Sequence, residues 1–105
     1  MIARFLPRRV PVCVAFAPED GKPEAWGRFE SLHCAGAALS TFAALSPGQV
    51  VLLSFDVAGE RFSAARARVT HSELDADGFF AAELDFEDPF TRRGLACALL
   101  DTLSR

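Results

Sequence analysis

Three arginines, Arg4, Arg8 and Arg9, stand in the first nine residues without an acid beside them. Some twenty residues on, Arg28 to Leu39 reads R-F-E-S-L-H-C-A-G-A-A-L and carries Ser31, His33 and Gly36. An arginine fork can hold a phosphate, or the O6/N7 edge of a guanine, through two parallel hydrogen bonds, and its plane can lie on a base. Ser31, His33 and Gly36 by themselves read as an ordinary β-turn. The chemistry these types can do together is the binding of a small anionic ligand.

Catalysis finds less support. His33 and Cys34 are adjacent, so on an extended segment they point to opposite faces and cannot easily share a proton. His71, Ser72 and Asp75 gather around an expected turn with no oxyanion device in sight. No nucleophile, base and orienter can be assembled, and a non-enzymatic protein with no cofactor is expected. Cys13, Cys34 and Cys97 are odd in number and widely spaced, and the chain has neither C-x-x-C nor H-x-x-x-H. They read as reduced structural thiols, with no metal site.

Charge narrows the partners. The formal net charge is −3, and seven of the fourteen acids fall between residues 73 and 88. Affinity for a nucleic-acid backbone rests on summed Lys and Arg contacts, so neither DNA nor RNA is an expected partner. There is no basic leader followed by an apolar run and no apolar stretch near the length of a membrane span; the expected location is the cytoplasm.

The elements that must position these residues follow from local pattern. Pro7 excludes a continuous helix in residues 1–9, which read as a flexible, arginine-rich arm. Residues 10–105 read as a single domain. A strand is expected over Val10–Ala17, starting as an edge at Pro11, then a loop over residues 18–25. Further strands are expected over Trp26–Leu32 and Ala37–Phe42, separated by a tight turn at Ala35-Gly36. Ser46-Pro47-Gly48 forms another turn before the strand Gln49–Val57, and Ala58-Gly59 is a hairpin loop. The partner strand, from Glu60 to about His71, should bury Ala65, Ala67 and Val69 and expose Ala64, Arg66 and Arg68. After a turn at Asp75–Gly78, F-F-A-A-E-L-D-F should point Phe80, Ala82, Leu84 and Phe86 inward, with Phe79, Glu83 and Asp85 outward. Asp88-Pro89 reads as cap and first position of an amphipathic helix at about 89–104, with Leu95, Leu99, Leu100 and Leu103 at helical spacing. Six short antiparallel strands and one helix predict a mainly β protein, a small six-stranded barrel or sandwich closed by a C-terminal helix.

This order of parts resembles the PilZ domain family over almost the whole chain. The family has an R-x-x-x-R arm, a [D/N]-x-S-x-x-G turn, a six-stranded antiparallel barrel and often a closing helix. Arg4-Phe-Leu-Pro-Arg8 matches the arm, with Arg9 directly before Val10 at the place the second family arginine often takes. Ser31-Leu-His33-Cys-Ala-Gly36 stands at the turn; Gly36 matches, while Ser31 stands in place of Asp or Asn and His33 in place of Ser. P-G-Q-V-V-L-L-S-F and A-E-L-D-F are similar to later family strands.

The resemblance implies a stand-alone adaptor in bacterial signalling that binds cyclic di-GMP without catalysis. It implies a site made of Arg8, Arg4 and Arg9, in that order of weight, with Ser31, His33 and Gly36. It leaves a second reading open, a PilZ-like adaptor of motility or envelope machinery that binds only a protein partner. For that reading Phe79, Phe90 and the outer helix leucines would form the docking patch, and Arg92 and Arg93, in the first helical turn, would meet an acidic partner or nothing.

Overall fold

The computed structural model describes residues 10–103, with side chains through Leu100; Arg4, Arg8 and Arg9, and with them the expected arm, lie outside these. The strands are β1 (Pro11–Phe16), β2 (Ala25–Leu32), β3 (Gly36–Thr41), β4 (Val50–Val57), β5 (Glu60–Leu74) and β6 (Phe80–Phe86), followed by α1 (Pro89–Leu103). They close into an antiparallel barrel in the order β1-β2-β3-β6-β5-β4. Of barrel and sandwich, the structure is the barrel. Closure pairs every strand on both sides and leaves no exposed edge. Pro11, expected to mark an edge, begins a strand paired with both β2 and β4.

Period-two alternation sorts the side chains as expected except at Phe80, which was expected inward and is only half-buried at the start of β6. Val12, Val14, Leu39, Val51, Leu53, Ala65, Ala67, Val69, Ala82, Leu84 and Phe86 line the interior. Phe55 sits at the centre: Phe29 meets it edge-on at 4.9 Å between ring centroids and Phe62 stacks on it at 5.1 Å. Phe62 and Ala65 are both buried yet three residues apart, which strict alternation forbids. A bulge at Ser63-Ala64 resolves this: the β4–β5 register shifts there, Ala64 takes φ +52°, and its amide donates to Ser54 Oγ at 2.9 Å.

β5 runs three residues beyond the expected end at His71, because a second bulge at Thr70 re-pairs His71–Leu74 with β6. The expected loop after β1 contains a short 3₁₀ turn at Pro18–Asp20, where proline presets the first φ.

The terminal helix begins as its residues dictate. Asp88 Oδ1 accepts the Phe90 amide at 3.0 Å and the Asp88 carbonyl accepts the Arg92 amide at 3.1 Å, with Pro89 in the first helical position. Leu95, Ala98 and Leu99 are buried, and α1 packs against β4, β5 and β6. Gly94 makes the close approach possible, since a Cβ there would lie 3.0 Å from Phe62 Cε1. Each fully buried leucine contributes about 1.5–3 kcal/mol of transfer free energy. Leu100 and Phe90 face solvent. Among the described residues no helix is long and apolar enough to cross a membrane.

Candidate functional site

The β2–β3 connection brings Ser31, His33 and Gly36 onto one end of the barrel. Ser31 is half-buried and registers with Ala38, and Leu32 registers with Ala37. The His33 amide donates to the Gly36 carbonyl at 2.9 Å, and the Ala35 amide donates to His33 Nδ1 at 3.3 Å. The Ala35 carbonyl accepts the Phe86 amide at 2.9 Å, which ties the turn to β6. The histidine ring is therefore committed at Nδ1 to shaping its own turn.

One expectation requires correction. The turn was expected at Ala35-Gly36, but the bend lies at Cys34-Ala35 and Gly36 is already the first residue of β3. Gly36 is not among the glycines with positive φ. It is glycine because a Cβ there would collide with the Leu84 carbonyl oxygen and lie 3.2 Å from Asp85 Oδ1. The close approach serves strand packing before it serves any ligand.

The same measurement reveals a residue the motif reading passed over. Asp85, exposed on β6 and registered opposite Gly36, holds its carboxylate beside the turn. Its outward position in the A-E-L-D-F alternation was legible; that β6 pairs with β3 was not. Ser31 offers no carboxylate, and Asp85 brings one to the same end of the β2–β3 hairpin.

The described chain begins at Val10, the residue after Arg9. The Val10 carbonyl accepts the Phe29 amide at 2.9 Å, so the chain arrives alongside the stretch of β2 that leads to Ser31. Arg28, the neighbour of Phe29, is exposed and registers with Pro11 on β1 and Ser40 on β3. It adds a guanidinium on β2, opposite Pro11, that the arginine motif did not include.

The weak catalytic candidates separate. His71 Nε2 meets Glu73 Oε1 at 3.2 Å, whereas Asp75 Oδ1 accepts the amides of Asp77 and Phe79. The Ser72 hydroxyl is buried without a hydrogen-bond partner. Cys13 is half-buried, and burial, followed by the neighbouring Glu24, pushes its thiol above the ordinary range. Cys34 and Cys97 are free and exposed rather than core thiols. Among the described residues no group of His, Cys, Asp and Glu is placed to hold a metal ion.

The docking patch expected around Phe79 and Phe90 is divided. Phe79 is half-buried and stacks on Phe42, with 4.2 Å between centroids and 22° between planes. Phe90 is exposed on the helix with the Arg93 guanidinium 5.5 Å over its ring. Arg92, unfavourably placed for the helix dipole, donates from Nε to the Phe86 carbonyl at 2.7 Å, so its position has a structural cause.

Neither a family model nor a curated protein matches the sequence. A solved structure described as the PilZ domain of CeSA from a cellulose-synthesizing bacterium is similar to it, at 26% identity and a TM-score of 0.62. The match covers 95% of this chain and 97% of that one. Six strands closed antiparallel, a glycine seated where β3 meets β6, a helix capped by Asp88 and a match along nearly the full length of both chains make this a PilZ-like fold.

Proposed function

We infer that the protein is a cyclic di-GMP receptor and adaptor in bacterial second-messenger signalling, acting by binding and not by catalysis. The PilZ-like fold supports the ligand class. The observation that supports the reading is the Val10–Phe29 hydrogen bond, which sets Val10, the residue after Arg9, beside the strand leading into the Ser31–Gly36 turn. Arg8 and Arg4, with Arg9, hold the phosphodiesters and a guanine edge. Ser31, His33 and Gly36 form the surface beneath, and Asp85 supplies a carboxylate acceptor for guanine N–H donors where Ser31 cannot. Closure of the arm over the ligand changes a surface that a partner protein reads.

A protein-only adaptor is the second reading, favoured by the hydrogen bond that commits His33 Nδ1 to its own turn. Isothermal titration of the purified protein with cyclic di-GMP, against GTP as the control nucleotide, separates the two. Heat specific to cyclic di-GMP with a micromolar or tighter Kd establishes the receptor. Silence at high nucleotide concentration overturns it and leaves the adaptor.

A further inference from the structure

A groove of about 480 Å³ lies on the outer face of the barrel and reaches along β2 as far as Glu30, the residue before Ser31. Its aromatic wall is Trp26 on β2 with the stacked pair Phe42 and Phe79, and Trp26 and Phe42 are each 69% exposed. Asp75 and Asp77 from the β5–β6 turn and Arg28 from β2 also line it. Large aromatic surfaces kept in water beside one another mark an interaction site.

The walls are built, not incidental. Asp75 Oδ1 accepts the amides of Asp77 and Phe79 at 2.9 and 3.0 Å, and the Asp75 amide donates to the Phe79 carbonyl at 2.8 Å. Thr41, fully buried, donates from Oγ1 to the Trp26 carbonyl at 3.0 Å and accepts the Ala43 amide at 3.3 Å, which fixes the backbone on both sides of Phe42.

Charge selects the occupant. Glu30 is engaged by the Ser40 hydroxyl at 2.7 Å, which leaves the carboxylates of Asp75 and Asp77 against the one guanidinium of Arg28 in the lining, a balance that favours a cation over a phosphate-bearing ligand. A guanidinium can lie flat on an indole or phenyl face while forking a carboxylate, which an ammonium cannot do. We propose that the Trp26–Phe42–Phe79 groove docks an arginine-bearing segment of a partner protein. The proposal does not rest on nucleotide binding.

Trp26 is the sole tryptophan of the chain, so its emission reports on the groove directly. The full chain is titrated with an arginine–serine repeat peptide and with its glutamate–serine counterpart. The arginine peptide produces a saturable change in Trp26 emission and the glutamate peptide none. Phe42→Ala weakens the arginine peptide about three- to fivefold by removing one aromatic face, and Asp77→Asn weakens it about twofold or more at low salt. Both side chains are exposed, so the fold survives, and cyclic di-GMP titrations of the same variants are unchanged. Equal response to both peptides, or no response to either, overturns the proposal. Binding that emerges only when Arg4, Arg8 and Arg9 are all replaced by serine also overturns it, because this chain's own arginines then fill the groove.

Discussion

Arg68 Nε donates to Glu87 Oε2 at 2.7 Å, and Arg66 Nε reaches the other carboxylate oxygen at 3.2 Å. The Glu87 amide also donates to the Arg66 carbonyl at 3.0 Å, so pairing between the outer face of β5 and the end of β6 continues to the threshold of α1. The hydrogen bond from Arg68, ahead of that from Arg66, holds the Glu87 carboxyl below its ordinary value and outweighs the opposing effect of burial. A depressed folded pKa contributes stability that is fully present above the unfolded value, about 4.3 for glutamate, and lost as pH falls through the folded value. Unfolding midpoints should therefore decline as pH drops below that value, and Glu87→Gln should flatten this acid limb. An identical pH profile for the variant would remove Glu87 from the account.

Gly36→Ala tests the close approach of β3 to β6. Its added Cβ meets the Leu84 carbonyl oxygen, a backbone atom that cannot rotate away. Overpacking of this kind costs about 1–3 kcal/mol, read as a lower denaturant midpoint at unchanged slope. A midpoint equal to the parent's would mean that the two strands separate without cost.

Arg92→Ala removes the donor that clamps the start of α1 to the Phe86 carbonyl. With the arginine itself exposed, the expected loss is about 1 kcal/mol. Hydrogen exchange localises the effect: amides of the first helical turn should lose protection while the barrel amides around Phe55 keep theirs. Uniform loss across both would refute a local clamp.

The nucleotide site yields a paired prediction. If the arm binds cyclic di-GMP, Arg8→Ala should raise Kd about tenfold or more, since a charge-assisted contact contributes about 1.5–3 kcal/mol. Asp85→Asn should weaken the ligand as well, by exchanging a carboxylate acceptor for an amide. Ser31→Asp together with His33→Ser should strengthen it. Titration calorimetry reads all three, and no gain from the double substitution would show that the turn does not present those positions to the ligand.

The strands of this barrel were readable because a half-buried strand alternates in and out with period two, and the pattern V-C-V, A-R-A-R-V and A-E-L-D-F obeys it. The bulges at Ala64 and Thr70 were not, because nothing in their residue types announces an extra residue; only the demand that Phe62 and Ala65 share one interior exposes the first. Gly36 was singled out from sequence as a turn residue, and the structure gives it a different cause. A turn glycine and a close-contact glycine look alike in one dimension, and the atom that excludes a side chain there belongs to Leu84, nearly fifty residues away in the chain.

Local chemistry alone determined the strand count, the capped helix beginning at Asp88-Pro89, the turns at Asp75–Gly78 and Ala58-Gly59, and the placing of Ser31 near the end of β2 with His33 on the connection after it. Each depends on neighbours within a few residues, where periodicity, capping and turn preference act. Tertiary structure decided what lies across the barrel: that β3 pairs with β6 and so sets Asp85 beside Gly36, and that Phe79 leaves solvent to stack on Phe42. These are contacts between residues of distant register. They arise because closing the sheet satisfies the backbone hydrogen bonds of every strand at once, and no local signal encodes which strands must meet for that to happen.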